Sequence, residues 1–279
     1  MSANWDSGGG GGTLTPQVSF PPVTPVVKKL LILNFGIYLA TVLLFLASES
    51  AYLGVMRYLG VRPDSWIVGP PYFPFWQPVT YGFLHSRDPM HVIGNMIGVY
   101  FFGTLVESTI GSRRFLVTYF AAMFAGAALH FAVEAFRTPS SFLVGASGAA
   151  LGVVVVAAVL QPNSRVLLLF IPVQLKWIAI GYVGINIVMA LQSFKVDTGG
   201  TAFFAHLGGA AYGFFAARSR LIWKDPLADW QQRRESRAAQ QRQDEDLRMD
   251  DLLAKIHKEG MSSLTRREKA FLKKVSERQ

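Results

Sequence analysis

The chain contains no cysteine. Disulfides, thiolate nucleophiles and cysteine-ligated metals are therefore excluded. Charge is the second shortage. Charged residues make up 16% of the sequence, against roughly 25% in a soluble domain. The shortage is also local. Residues 30–217 hold 15 Asp, Glu, Lys or Arg in 188 positions, whereas residues 218–279 hold 27 in 62. The apolar runs of the first region are too long for soluble helices, so a single soluble globular domain is excluded. What remains is a polytopic membrane domain with a charged, water-soluble tail. The net charge of +9 divides into +4 over residues 1–217 and +5 over 218–279. Modest positive charge beside apolar spans reports topology and contact with anionic lipid. With no RNA- or DNA-binding motif present, no nucleic-acid partner is expected.

Residues 1–27 contain Gly-rich and Pro-rich sequence without helical periodicity, and read as a flexible arm. The first apolar run, Leu30 to Ala47, follows Lys28 and Lys29. Its polar lead is too long, and the run itself too extended, for a cleaved signal, so it reads as a retained anchor. Five further runs lie near 91–110, 114–136, 147–161, 166–192 and 202–217. A span needs about 20 apolar residues. Most runs qualify, and 147–161 is short. Pro172 and Lys176 mark an interfacial lead-in, with the fifth helix starting near 175. The expected fold is an all-α membrane protein, a bundle of six transmembrane helices with a cytoplasmic helical tail. Positive residues in the short connections favour a cytoplasmic N-terminus. They place Lys28, Lys29, Arg113, Arg114, Arg165, Arg218, Arg220 and Lys224 inside. Both termini are then cytoplasmic. The long first connection, about 49–90, is rich in aromatics between Trp66 and Tyr81 and is expected in the outer interface.

Polar groups inside spans are functional hypotheses by default. Three of them have plain structural readings. His130 reads as a packed or hydrogen-bonded histidine, Glu134 as solvated near the outer end, and Glu107 as a cap or a partner of Arg113 or Arg114. His91 and Asn95 are four apart and project from one helical face. Alone, that pair is most simply a structural hydrogen bond. Ser147 sits between Gly145 and Gly148 where an apolar helix begins. A serine there is commonly an N-cap. It also sets a hydroxyl beside free backbone N–H groups, where an oxyanion could be held. His206, Gly209 and Gly213 share one face of the sixth run. Gly148 with Gly152, and Gly209 with Gly213, form small-residue faces that allow two helix backbones to approach closely. Such packing would bring Ser147 to His206.

Depth is consistent with that meeting. Ser147 lies 14 residues above Gln161, or ~21 Å, and His206 lies 12 above Arg218, or ~18 Å. In a ~30 Å core, both fall on the order of 10 Å below the outer surface. The segment 138–146 must therefore dip inward, and irregular backbone at that depth has to be buried in protein or line a wet cavity.

His91/Asn95 (HxxxN), the GASG sequence at 145–148 and the AHxxG sequence at 205–209 occur in this order on spans two, four and six. In this the chain resembles the rhomboid intramembrane serine proteases, over about residues 28–220. The resemblance implies a serine endopeptidase acting on transmembrane protein substrates near the outer face, in contact with membrane lipids and without metal or other cofactor. It implies Ser147 as nucleophile and His206 as general base, a dyad with no Asp to orient the imidazole. It further implies Asn95, His91 and the Ser147 N–H around the oxyanion, with Gly145 on the same substrate-binding side. His85 matches a histidine of the family associated with water or loop structure. Two positions depart from the family's habit. Trp76 is followed by Gln77 where Arg is common. Leu151 stands where an aromatic often stacks on the histidine, so aliphatic packing is expected to hold His206. Intact Ser147 and His206 argue against a catalytically silent, client-binding relative. A small transporter would call for inverted repeats that are not visible. The setting implied is a bacterial plasma membrane.

The tail divides into a charged linker or helix, 221–248, and a module at 249–279 that resembles one found after some bacterial rhomboids. Leu252, Leu253 and Ile256 form an apolar face, Gly260 ends that helix, and Thr265 with Glu268 makes a capping-box pattern before Phe271, Leu272 and Val275. A helical hairpin is expected, with a cytoplasmic partner as its natural use.

Overall fold

Long uncharged runs must satisfy their backbone internally when water is absent, and helices do so within one segment. The computed structural model, which describes residues 21–67, 73–168, 171–195 and 202–276, follows that rule. Most of the N-terminal arm lies outside the described residues. Helix α1 (Pro25–Ala47) is followed by α2 (Glu49–Leu59), α3 (Pro63–Ile67) and α4 (Gln77–Thr80). Next come α5 (Pro89–Gly98), a π-helical turn at Val99–Gly103 and α6 (Thr104–Ile110), which run together as one helix, Pro89–Ile110. Then follow α7 (Ser112–Arg137), α8 (Ser147–Leu160), strands β1 (Arg165–Leu168) and β2 (Ile171–Gln174), α9 (Leu175–Gln192) and α10 (Phe203–Arg218). The tail forms α11 (Pro226–Glu259) and α12 (Arg266–Ser276).

Among the described residues four helices are long and apolar enough to cross a membrane: α1, Pro89–Ile110, α7 and α9. The chain is thus an all-α, multi-pass membrane protein in architecture, apart from one small hairpin among the described residues. That hairpin pairs Arg165 with Gln174 and Leu168 with Ile171, antiparallel, where an interfacial lead-in to α9 was expected. Helix α8 has 14 residues and is almost wholly buried, from Ser147 to Ala158. It is the central element, and α7, α9 and α10 pack around it.

The contact of α8 with α10 is made by backbone. A methyl group at Gly209 would strike the carbonyl oxygen of Gly148, and one at Gly213 that of Gly152. On the other side of α10, a methyl group at Gly126 would come within 2.6 Å of the Ala205 carbonyl oxygen. Only glycine permits such approach.

Three polar residues acquire fuller structural roles. Glu107 caps a different helix, α1. Its carboxylate accepts from the N–H groups of Val26 (3.0 Å) and Val27 (2.9 Å), and from the Thr24 (2.5 Å) and Ser112 (2.6 Å) hydroxyls. A carboxylate on the first amides of a helix also complements its dipole. Glu134 is buried rather than solvated, because Arg137 pairs with it at 2.7 Å. His130 is hydrogen-bonded, 3.3 Å from Ser141 Oγ.

The chain divides into two compact units at Trp223/Lys224. In the second, one helix runs through residue 248, so the boundary expected there falls inside α11. Leu252 and Leu264 are buried, Lys255 pairs with Glu268 at 3.0 Å, and Gly260 (φ 80°) ends α11. The capping box closes both ways, with Thr265 N–H on Glu268 Oε2 at 2.6 Å and Glu268 N–H on Thr265 Oγ1 at 3.3 Å. Leu253 is not part of the apolar face; it is exposed. The Val275 side chain lies outside the described residues.

Candidate active site

The segment before α8 determines how Ser147 enters the bundle. Its backbone is irregular, yet its polar groups are paired with the first connection. Val61 and Leu143 form a β-bridge with N–H···O distances of 3.1 and 2.9 Å. Pro139 C=O accepts from Asp64 N–H at 2.8 Å, and Tyr81 C=O accepts from Gly145 N–H at 3.0 Å. Gly145 then turns with φ 111°, which side chains rarely adopt. Gln77 holds the connection itself. It is buried, its Oε1 accepts from Trp66 Nε1 at 2.9 Å, and Trp76 Nε1 donates to Tyr58 C=O at 2.8 Å. The glutamine that departs from the family habit is thus a neutral brace for this connection.

Helix α8 begins at Ser147 with Ala146 as its N-cap, and no side chain caps it. The Ser147 hydroxyl is therefore not spent on capping. Its Oγ lies 2.6 Å from His206 Nε2, across 59 residues of sequence. His206 sits in the first turn of α10, and its other ring nitrogen, Nδ1, lies 2.6 Å from Asn186 Oδ1 on α9. Leu151 is fully buried, and the ring of Tyr182 on α9 stands edge-on to the imidazole with centroids 6.4 Å apart. Packing and a hydrogen bond were expected to orient the imidazole, with aliphatic side chains around it; α9 supplies the hydrogen bond through Asn186 and adds an aromatic edge.

His91 and Asn95 lie on one face of α5 and turn towards the Gly145 backbone. A methyl group at Gly145 would stand 2.6 Å from His91 Nε2 and 3.3 Å from Asn95 Nδ2. The His91 tautomer follows from its other partner. Ser86 N–H donates to Nδ1 at 3.2 Å, so Nδ1 is the acceptor and Nε2 carries the proton. Asn95 Nδ2 is buried and has no hydrogen-bond partner among the described residues. Two N–H donors, from His91 and Asn95, are thus aimed at the loop that ends on Ser147. Buried unpaired donors are rare and call for an explanation. His85, in the connection ahead of α5, is buried with its ring 5.1 Å from that of His91. Burial, and after it the His91 ring, pushes its pKa down to about 4, so it is neutral at physiological pH.

The structure therefore brings together all five expected site residues: Ser147 and His206 in contact, and His91, Asn95 and Gly145 adjoining. Asn186 was missed. Its signal in the sequence is a carboxamide inside an apolar run, as costly there as Asn95. Asn34 carries the same signal and only bonds back to Leu30 C=O on its own helix, at 2.7 Å.

Chemically, the contact offers a hydroxyl whose proton an adjacent imidazole can take, beside two N–H donors. The profile described as Rhomboid domain matches residues 73–221, which include every one of these groups. A second, described as a family of unknown function (DUF6576), matches residues 234–278 in the tail. RHOMBOID-like protein 12, mitochondrial, of Arabidopsis thaliana is 30% identical over 156 residues, covering 50% of this chain and 44% of that protein. The chain thus spans less than half the length of that relative.

Proposed function

The chain belongs to the rhomboid family, and from that premise we propose that it is an intramembrane serine endopeptidase working through a Ser147–His206 dyad. The observation that carries the reading is the 2.6 Å contact between Ser147 Oγ and His206 Nε2, made by two residues that the fold delivers from different helices. Ser147 Oγ attacks the scissile carbonyl as His206 Nε2 takes its proton. The tetrahedral oxyanion is held by Asn95 Nδ2, His91 Nε2–H and the Ser147 N–H, one of the free amides at the start of α8. Collapse expels the amine, which receives the proton from His206 and leaves an acyl-enzyme on Ser147. Water then attacks the acyl group with His206 again as base, releasing the acid.

The substrate is a transmembrane-anchored protein cut near the outer face. A helical amide is shielded and hydrogen-bonded, so the cut site carries small or helix-breaking residues. In this reading α8 and α10, shorter than the other spans, complete a six-helix bundle surrounded by lipid. The Lys and Arg distribution supports cytoplasmic termini, and the membrane we propose is a bacterial plasma membrane. The tail is then available to a cytoplasmic partner.

The test uses the purified full chain in detergent with a model transmembrane substrate. The wild type is expected to cleave it, and Ser147→Ala and His206→Ala are expected not to. Equal cleavage by either variant refutes the dyad.

A further inference from the structure

We infer that Asn186 is a positioning residue that fixes the tautomer and ring plane of His206, so that Ser147, His206 and Asn186 act as one hydrogen-bonded array. The inference rests on the hydrolase reading and deepens it.

The hydrogen-bond pattern admits one arrangement. Asn186 Nδ2 donates to Tyr182 C=O at 2.8 Å, which leaves Oδ1 facing His206 Nδ1 at 2.6 Å. The reverse amide would set Oδ1 against the Tyr182 carbonyl, two acceptors opposed. Oδ1 can only accept, so Nδ1 carries the ring proton. Nε2 then bears the lone pair, and it is the nitrogen that meets Ser147 Oγ. A general base needs that tautomer; with the proton on Nε2 the ring could not take the serine's. The amide is anchored by its own helix and is 3% exposed, so it cannot turn away without leaving a buried polar group unpaired.

Tyr182 and Asn186 are four apart on one face of α9, and both meet the same imidazole, one through a ring edge and the other through an oxygen. The aliphatic Leu151 on α8 offers the ring no comparable direction. Orientation of the base has therefore passed to α9. When His206 takes the proton, the Nδ1–H···Oδ1 bond becomes charge-assisted and strengthens. A neutral amide supports the imidazolium in this way without placing a carboxylate inside the bundle.

The experiment measures, in the full chain in detergent, the rate of fluorophosphonate labelling at Ser147 and the kcat and KM for a model transmembrane substrate. Asn186→Leu is close in size and offers no acceptor; Asn186→Asp keeps an acceptor oxygen; Asn186→Ala removes both bulk and acceptor. Labelling by the Leu and Ala variants is expected to fall about 10²-fold, with kcat falling in step and KM unchanged. The Asp variant is expected to recover to within about tenfold of wild type. Thermal unfolding of each variant identifies loss through misfolding.

The inference is overturned if the Leu or Ala variant labels at the wild-type rate while folded. It is also overturned if Asp and Leu fall equally, or if the losses track the unfolding temperatures alone. A wild type labelled no faster than Ser147→Ala overturns the hydrolase reading and this one with it. A labelled wild type with an unaffected Leu variant overturns this one only.

Discussion

Gly152 lies five residues beyond Ser147 on α8 and touches no reacting atom, yet it is expected to control the rate. A methyl group there would stand 2.6 Å from the Ala122 Cβ on α7 and 2.8 Å from the Gly209 carbonyl oxygen on α10. Carbon atoms rest at about 3.5–4.0 Å. Both neighbours are backbone or the atom fixed to it, so neither can rotate aside. In Gly152→Ala both α7 and α10 must therefore retreat, each by about 0.7–1 Å, because moving α7 alone leaves the contact with the Gly209 carbonyl in place. A retreat of α10 carries His206 away from Ser147 and stretches the 2.6 Å contact beyond the ~3.2 Å limit of a good hydrogen bond. A misplacement of about 1 Å costs on the order of 10²-fold in rate, or about 2.7 kcal/mol of transition-state stabilisation. Overpacking itself costs about 1–3 kcal/mol of stability, which still leaves a folded chain. The assay is fluorophosphonate labelling at Ser147, read beside thermal unfolding in the same detergent. Gly36→Ala serves as control, since a methyl group there meets nothing within 4 Å. The control is expected to label as wild type does. A folded Gly152→Ala that labels at the wild-type rate would refute the reasoning, because the α8–α10 distance would then not set the dyad.

Two further outcomes are expected away from the dyad. Glu107→Ala leaves the Val26 and Val27 amides without their carboxylate and is expected to destabilise the membrane unit by about 2–3 kcal/mol, read as a lowered unfolding temperature in detergent. An unchanged temperature would mean that the α1 cap carries no net stability. In the tail, the Thr265 N–H, with Lys255 and the Thr265 hydroxyl, lowers the Glu268 pKa from 4.5 to about 2. A depressed carboxyl stabilises the fold above its unfolded pKa and loses that contribution as pH falls from about 4.5 through 2. Hydrogen-exchange protection of α12 in the full chain should decline over that window in wild type and stay flat in Glu268→Gln. Parallel declines would contradict the assignment.

The candidate site was legible to the extent that its parts are local. His91 with Asn95 depends only on helical periodicity, and the Gly148/Gly152 and Gly209/Gly213 faces are likewise properties of single helices. The short α8 was legible too, because an apolar run that starts at a Gly-Ala-Ser-Gly sequence can be measured against the thickness of a membrane. The capping box at Thr265 and Glu268 spans three residues and needed nothing else. Partners far apart in sequence were a different matter. Glu107 was legible as a cap, but nothing in the residues near it names α1, some 80 positions away, as the helix it serves. Glu134 was misjudged because its distance from the span's end said nothing about the Arg137 side chain folding back on it. Leu253 was misjudged because it stands about 100° around the helix from Leu252, and only Leu252 turns into the hairpin core.

By itself, then, the sequence determined the solvent of each region and the inventory of reactive groups. Burying a charge is costly everywhere in a membrane, so the charge-poor stretch could retain only those polar residues that something offsets. It also determined that α8 and α10 could touch, since glycine faces leave room for backbone. What the tertiary structure alone decided is how the His206 imidazole is oriented. Asn186 and Asn34 look alike in sequence, each a carboxamide in an apolar helix. One bonds to its own turn, and the other reaches His206 while its amide nitrogen bonds back to α9. The difference lies in the rotation of each helix about its axis, which is set by packing against neighbours and leaves no trace in local periodicity.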